Sequence, residues 1–214
     1  MDMPRMPVQV TTEFPYHISA RGVNRGPFPL PMEETWEIMQ DYLYGLTHIH
    51  HARLHSFVLM QNHFHLLASF PDGNLSAAMQ YFMGETSRQI NFYSKRINQT
   101  YGGRFFRSIL RSNHYYLLAY KYVYRNPVKA RLCSRVEEYP FSTLHGLLGF
   151  RRMIVPVVED TTLFLDVEGC LEWLNSAPKD QDLEAVRLAL RKSEFSLPNK
   201  RSSRAPSALE SQLL

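Results

Sequence analysis

An α+β sandwich with an antiparallel sheet is the fold the sequence predicts. Three observations carry it: short alternating strands bounded by turn residues, longer segments with apolar residues at helical spacing, and the order in which the two follow one another. Tyr16 to Gly22 alternates in polarity and stops at glycine, after which Asn24-Arg25-Gly26-Pro27, Pro29 and Pro31 break the chain. Residues 33 to about 51 open with Glu33 and Glu34, which suit a helix N-terminus, and space Trp36, Met39, Leu43 and Leu46 along one face. Leu54 to Met60 and Phe64 to Phe70 are apolar runs parted only by Gln61-Asn62-His63, a hairpin. Asn74 is the expected cap of a second helix carrying Leu75, Ala78, Met79, Phe82, Met83, Ile90 and Tyr93. After the Gly102-Gly103 turn, Phe105 to Leu110 alternates arginine with apolar residues. Ser112 or Asn113 then caps a third helix from His114 to Tyr124, which meets Pro127. Strand, helix, strand, strand, helix, strand, helix is the connectivity of a ferredoxin-like split β-α-β sandwich, with helices covering one sheet face.

The 214 residues suffice for one generous domain with a small appendage. The sequence predicts a unit over 1–150, a helical appendage over 151–194 built from Thr161–Leu174 and Asp182–Leu190, and a disordered tail over 195–214, rich in Ser, Pro and basic residues. At 44% apolar and 21% charged residues the chain is neither fibrous nor wholly disordered. No segment has the run of about 18 apolar residues that a membrane span requires, and the start lacks a signal peptide's apolar stretch, so a cytoplasmic location is expected. Cys133 and Cys170 form no Cys-x-x-Cys pair and are read as packing residues.

The net charge of +4 conceals an asymmetry. Residues 1–150 hold 15 Lys/Arg against 10 Asp/Glu, and residues 151–214 hold 9 against 10. Residues 86–136 carry eleven basic side chains and no carboxylate. A solvated face mixes both signs, so this enrichment points to a polyanion, nucleic acid first.

Chemistry concentrates in two places. On a strand, His63 and His65 point to one face while Phe64 and Leu66 enter the core, and two adjacent imidazoles can hold a divalent metal. His48-Ile49-His50 has the same spacing in a helical context, where positions two apart diverge by about 200°. That pair, with His51 and His55, is read as surface or core, and His17 as structural. In the tyrosine-rich stretch His114–Val128, Tyr122 has an amide, Asn126, four residues on, which a helix presents on the same side. A phenol beside an amide oxygen pairs a nucleophile with a third metal ligand. Asn126 precedes proline, a position biased away from helical angles.

These segments resemble the REP-associated tyrosine transposases of the single-tyrosine HUH transposase superfamily. That family carries a first-strand Tyr-His-Val/Ile-x-x-Arg-Gly (here Tyr16 to Gly22), a Leu-Met-Pro-Asn-His-x-His-Leu-Leu core (Leu59 to Leu67) and a Gly-Arg-Phe turn (Gly103 to Phe105). A Tyr-Ile-x-x-Asn-Pro-Val-Lys/Arg-Ala segment (Tyr122 to Ala130) and a Tyr-Pro-Trp-Ser-Ser box (Tyr139 to Thr143) follow. The likeness spans about residues 14–149 and departs at Gln61, where proline is usual, and Phe141, where tryptophan is usual. It implies a single-stranded DNA endonuclease and strand transferase acting through a 5′-phosphotyrosyl link. His63, His65 and Asn126 would hold Mg²⁺ or Mn²⁺, and Tyr122 would be the nucleophile. It implies a repetitive palindromic hairpin as DNA partner, and a monomer in preference to the helix-exchanged dimer of related transposases. Arg21, Arg88, Lys95, Arg96, Arg104, Arg107, Arg111, Lys121, Arg125 and Lys129 would meet the DNA, mainly at phosphates. Two alternatives stay open: a hairpin-binding regulator with an idle site, and a metal-dependent phosphodiesterase using water.

Overall fold

In a computed structural model, which describes residues 10–198 and 207–214, the alternating segments form four strands. They are β1 (Tyr16–Arg21), β2 (Arg53–Met60), β3 (His63–Ser69) and β4 (Phe106–Ile109), joined in one sheet of order β2-β3-β1-β4 with every neighbouring pair antiparallel. This is the split β-α-β arrangement. The helices α1 (Met32–His50) and α2 (Leu75–Ser94) pack on one face, burying Trp36, Met39, Leu43, Met79 and Phe82 against Phe57, Phe64 and Leu66. Asn74 stands at the start of α2, yet its side chain donates to the His50 carbonyl (3.0 Å) and leaves the helix N–H groups alone.

The third helix corrects two expectations. α3 (Asn113–Lys129) lies on the opposite sheet face, where Val58, Met60 and Leu67 pack with Leu118, Tyr122 and Val123. Helices therefore cover both faces. α3 also runs through Pro127. Proline supplies no N–H for the Val123 carbonyl, and the Asn126 amide donates to the Tyr122 carbonyl (2.7 Å) while reaching the Val123 carbonyl at 3.5 Å. Of the two candidate caps, Ser112 is the one used, accepting from Tyr115 N (3.1 Å).

Beyond α3 the chain closes the sheet edges. The Tyr139–Thr143 stretch lies along β2: Leu59 N donates to the Phe141 carbonyl (2.9 Å), Phe57 N to Thr143 Oγ1 (2.9 Å), and Tyr139 OH to the Leu59 carbonyl (2.8 Å). A short helix, α4 (Thr143–Leu147), follows. At the other edge, Ile109 N donates to the Ser193 carbonyl and Phe195 N to the Ile109 carbonyl (3.0 and 2.9 Å).

The first expected appendage helix divides into α5 (Thr161–Phe164) and α6 (Val167–Asn175), because Asp166 caps a new start by accepting from Gly169 N (3.0 Å). The second is α7 (Asp180–Ala189). Leu163, Leu174, Leu183, Val186 and Leu190 share one core with α3, so position 150 marks no break in packing. The tail also departs from the expected disorder. Phe195, Leu197 and Leu209 are buried in that same core, and Tyr115 OH donates to Glu210 (2.8 Å). Three large apolar side chains outweigh the polar composition around them. Residues 199–206 of the expected tail lie outside the described residues.

Candidate active site

Strand register places the first group of residues. β1 and β3 pair Ser19 with His65 and Arg21 with His63, so these side chains and His17 share the sheet face toward α3. His63 and His65 thus stand side by side, ring centroids 4.9 Å apart. Tyr122 approaches from α3, its ring edge-on to His65 at 5.7 Å and to His17 at 6.4 Å. The phenol is only 8% exposed. Asn126 lies one helical turn further on. His63, His65 and Tyr122 are therefore gathered between β3 and α3, with Asn126 one turn along α3 from Tyr122.

Neighbouring groups fix how the imidazoles present their nitrogens. Asn62 Nδ2 donates to the Arg25 carbonyl (2.7 Å), which orients its Oδ1 to accept from His63 Nδ1 (2.6 Å). The Asn62 carbonyl also takes the Gly22 N–H (2.7 Å), tying the hairpin to the turn after β1. That turn is tight: a Cβ on Gly22 would lie 2.6 Å from the Gly26 carbonyl oxygen. With its proton on Nδ1, His63 keeps a lone pair on Nε2. His65 Nδ1 meets His17 Nε2 at 2.8 Å with the rings stacked, and His65 Nε2 is buried without a partner.

All three imidazoles are held neutral at pH 7. Burial, then the His63 charge, takes His17 down to about 3. Burial and Arg21 take His63 to about 4. His65 falls well below the usual range through burial and the charges of His63, His17 and Arg21. Neutral imidazoles are the form that ligates metals.

Among the described residues no three His, Cys, Asp or Glu side chains converge on a metal position. The candidate donors are two imidazole nitrogens and the Asn126 Oδ1, whose Nδ2 is spent on the helix backbone. The unpartnered, buried Nε2 of His65 is the observation that fits a cation there. Two nitrogens and one amide oxygen form a neutral, mixed set that leaves a hard divalent ion free to take phosphate oxygens and water.

Sequence reasoning predicted α7 as a helix but assigned none of its residues to the site. That helix packs Leu183 and Val186 beside Tyr122. Burial raises the Tyr122 phenol above the ordinary tyrosine range; Arg187, Arg21 and Arg191 pull it back, and Glu184 adds to the rise. Arg187 is itself held by Glu184 through two 2.6 Å bonds. No local motif marks these residues, because only the folded chain brings residue 187 to residue 122. Asn62 and His17 were legible in principle, since Asn62 adjoins His63 and His17 lies four residues before Arg21.

The expected DNA-contacting cations divide. Arg21, Lys95, Arg96, Arg104 and Lys129 are exposed, and Arg88 is exposed beside Glu85. Arg111 pairs with Glu194 (2.8 Å), and Arg107 turns to the α1/α2 side, opposite Ile18. Lys121 is a correction: it is 0% exposed, with Nζ donating to Ser176 Oγ (2.7 Å) and a main-chain oxygen of Leu214 (2.8 Å). Arg125 likewise turns inward to the Leu174 carbonyl (2.8 Å). Both point to the side of α3 that α6 covers.

Comparison with known proteins agrees with this architecture. The family model "Transposase IS200 like" matches residues 12–126. The structure of a REP-associated tyrosine transposase bound to a REP hairpin aligns with a TM-score of 0.59 at 17% identity, over 74% of this chain and 94% of that one. A candidate transposase from Deinococcus radiodurans R1 aligns with a TM-score of 0.39 at 15% identity, over 57% and 95%. No curated protein matches the chain.

Proposed function

This chain belongs to the IS200-like transposase family, and from that premise we propose that it cuts and rejoins single-stranded DNA beside a hairpin, with Tyr122 as nucleophile. The observation that carries the proposal is the phenol of Tyr122 set 5.7 Å from an imidazole whose Nε2 has no partner in the protein. His63, His65 and Asn126 would hold Mg²⁺ or Mn²⁺, which when bound supplies positive charge to the scissile phosphate.

The residues divide the work. Asn62 keeps the His63 proton on Nδ1, and with the proton of its contact to His17 on His65 Nδ1, His65 would likewise keep a lone pair on Nε2. Attack requires the phenol to lose its proton, and Arg187, Arg21 and Arg191 lower that cost inside a pocket whose burial raises it. The Tyr122 oxygen then bonds to phosphorus and the 3′ oxygen leaves as a hydroxyl. The 5′-phosphotyrosyl bond conserves the energy, so another strand's 3′-hydroxyl can reverse the step without ATP. A hairpin substrate is supported by the partner of the aligned transposase. A monomer acting with its own tyrosine is supported by α3 lying on its own sheet and by the covered β2 and β4 edges. The unit that carries this activity takes in α7 as well as residues 1–150.

The test incubates the protein with a labelled library of hairpin oligonucleotides bearing single-stranded flanks, with Mg²⁺ or Mn²⁺, and resolves it on a denaturing gel. A covalent protein–DNA band is expected that requires metal and disappears in Tyr122→Phe and His63→Ala. Hairpin binding without adduct or nick would make the chain a binding module. Nicking that survives Tyr122→Phe would assign the attack to water.

A further inference from the structure

One corner of the catalytic sheet face is left open. The register aligns Phe106 of β4, Ser19 of β1 and His65 of β3 in a single row, so the three side chains point the same way. In the next row toward the sheet centre Ser108 and His17 are buried, whereas Phe106 is 61% exposed and Ser19 is half-covered. A phenylalanine ring thus lies in the open on the face that holds the imidazoles, two strand spacings or roughly 10 Å from His65, with only a small serine between. Arg21 and Arg104 flank this corner and are exposed, and the segment that carries Phe106 has no carboxylate between residues 86 and 136.

We propose that Phe106 is the floor of a nucleobase subsite, on which one unpaired base of the single-stranded DNA stacks while its backbone runs toward His65 and Tyr122. An exposed ring edged by guanidinium groups suits this occupant: the ring offers a face to any base, and the cations meet the phosphates on either side. Ser19 leaves room for the sugar and backbone where a larger side chain would block the row. The subsite rests on the single-stranded DNA reading above and adds to it the residue that holds a base next to the cut.

Binding is measured by fluorescence anisotropy in EDTA, so that no chemistry is required, using a hairpin oligonucleotide with an eight-nucleotide single-stranded flank. One abasic position is walked along the flank. Phe106→Ala is expected to weaken binding about tenfold. At one flank position the abasic substitution costs the native protein the same factor and costs Phe106→Ala nothing. Phe106→Trp is expected to restore affinity and to show fluorescence quenching by the intact flank that the abasic one abolishes. Independent, multiplying losses at every position, or an unchanged Phe106→Ala affinity, overturn the subsite. Should Phe106→Ala fail to fold, the Phe106→Trp quenching pattern decides alone. The Tyr122 adduct, assayed separately with metal, distinguishes the two proposals: adduct without coupling removes only the subsite, and coupling without adduct removes only the transferase.

Discussion

The two faces of the sheet are built from the same four strands to different ends. Toward α1 and α2 the strands present Tyr16, Ile18, Phe57, Phe64 and Leu66, an apolar surface that meets aromatic and aliphatic partners. Toward α3 they present Ser56, His17, His65 and Ser108, each with a buried polar atom that lacks a hydrogen-bond partner. Each such atom costs about 1–3 kcal/mol. The first face is apolar throughout, whereas the second mixes Val58, Met60 and Leu67 with these polar groups, which cost stability and are the ones the proposed site would use.

Adjacent residues on β3 test this contrast most strongly. Phe64→Ala is expected to cost about 3–5 kcal/mol in urea unfolding, since it empties a fully buried ring site. His65→Leu is expected to change stability by about 1 kcal/mol or less, because it removes one orphaned nitrogen, His65 Nε2, and leaves another, His17 Nε2, in its place, yet to remove the covalent DNA adduct. Equal losses of stability from both substitutions would show that the α3 face is structural too.

Acid separates the faces next. An unfolded histidine titrates near ~6.5, whereas burial, followed by the Arg53 charge, holds His55 down to about 4. Between these values the unfolded chain binds more protons, so stability falls as pH is lowered from 6.5 toward 4. One such group contributes about 2 kcal/mol of loss between pH 6.5 and 5. His17 and His63 act in the same sense. Thermal melts should show Tm dropping over this range, with a shallower fall in His55→Gln; parallel curves for the two proteins would refute the assignment.

A smaller effect is expected at α7. Arg187→Gln removes a cation that favours the Tyr122 phenolate, and adduct formation should slow about tenfold in single-turnover assays, the worth of about 1.4 kcal/mol of barrier. The Glu184 partner is partly exposed, so Tm should move little. An unchanged rate would confine α7 to packing.

What could be read from the sequence follows from range. Period-two alternation gave the strands and put His63 beside His65, and helical spacing put Asn126 under Tyr122, because each inference spans only a few residues. Which face α3 covers depends on contacts between residues nearly sixty apart, such as His65 with Tyr122. Apolar spacing alone does not encode that choice. The burial of Phe195, Leu197 and Leu209 was missed for a related reason: they are sparse in a polar stretch, and the residues they pack with, such as Tyr115 for Phe195, lie far back in the chain on α3. Charge was the least reliable guide, since Lys121 and Arg104 look alike in sequence and lie in opposite environments.

That last pair gives the finest test. Lys121 lies under Trp173, its ammonium 5.2 Å from the ring centroid, and burial takes its pKa down to about 8. It has no route to a phosphate while α6 stays in place, whereas Arg104 is exposed at the turn into β4. Each phosphate neutralised on single-stranded DNA contributes about 0.7 to the slope of log affinity against log salt. Arg104→Gln should therefore flatten the slope by about that amount, and Lys121→Met should leave it unchanged even if Tm shifts. A flattened slope for Lys121→Met would mean that α6 lifts off when DNA binds. The face that α6 now closes would then belong to the DNA surface, and the boundary between the stabilising and the working parts of the molecule would shift from the sheet to the far side of α3.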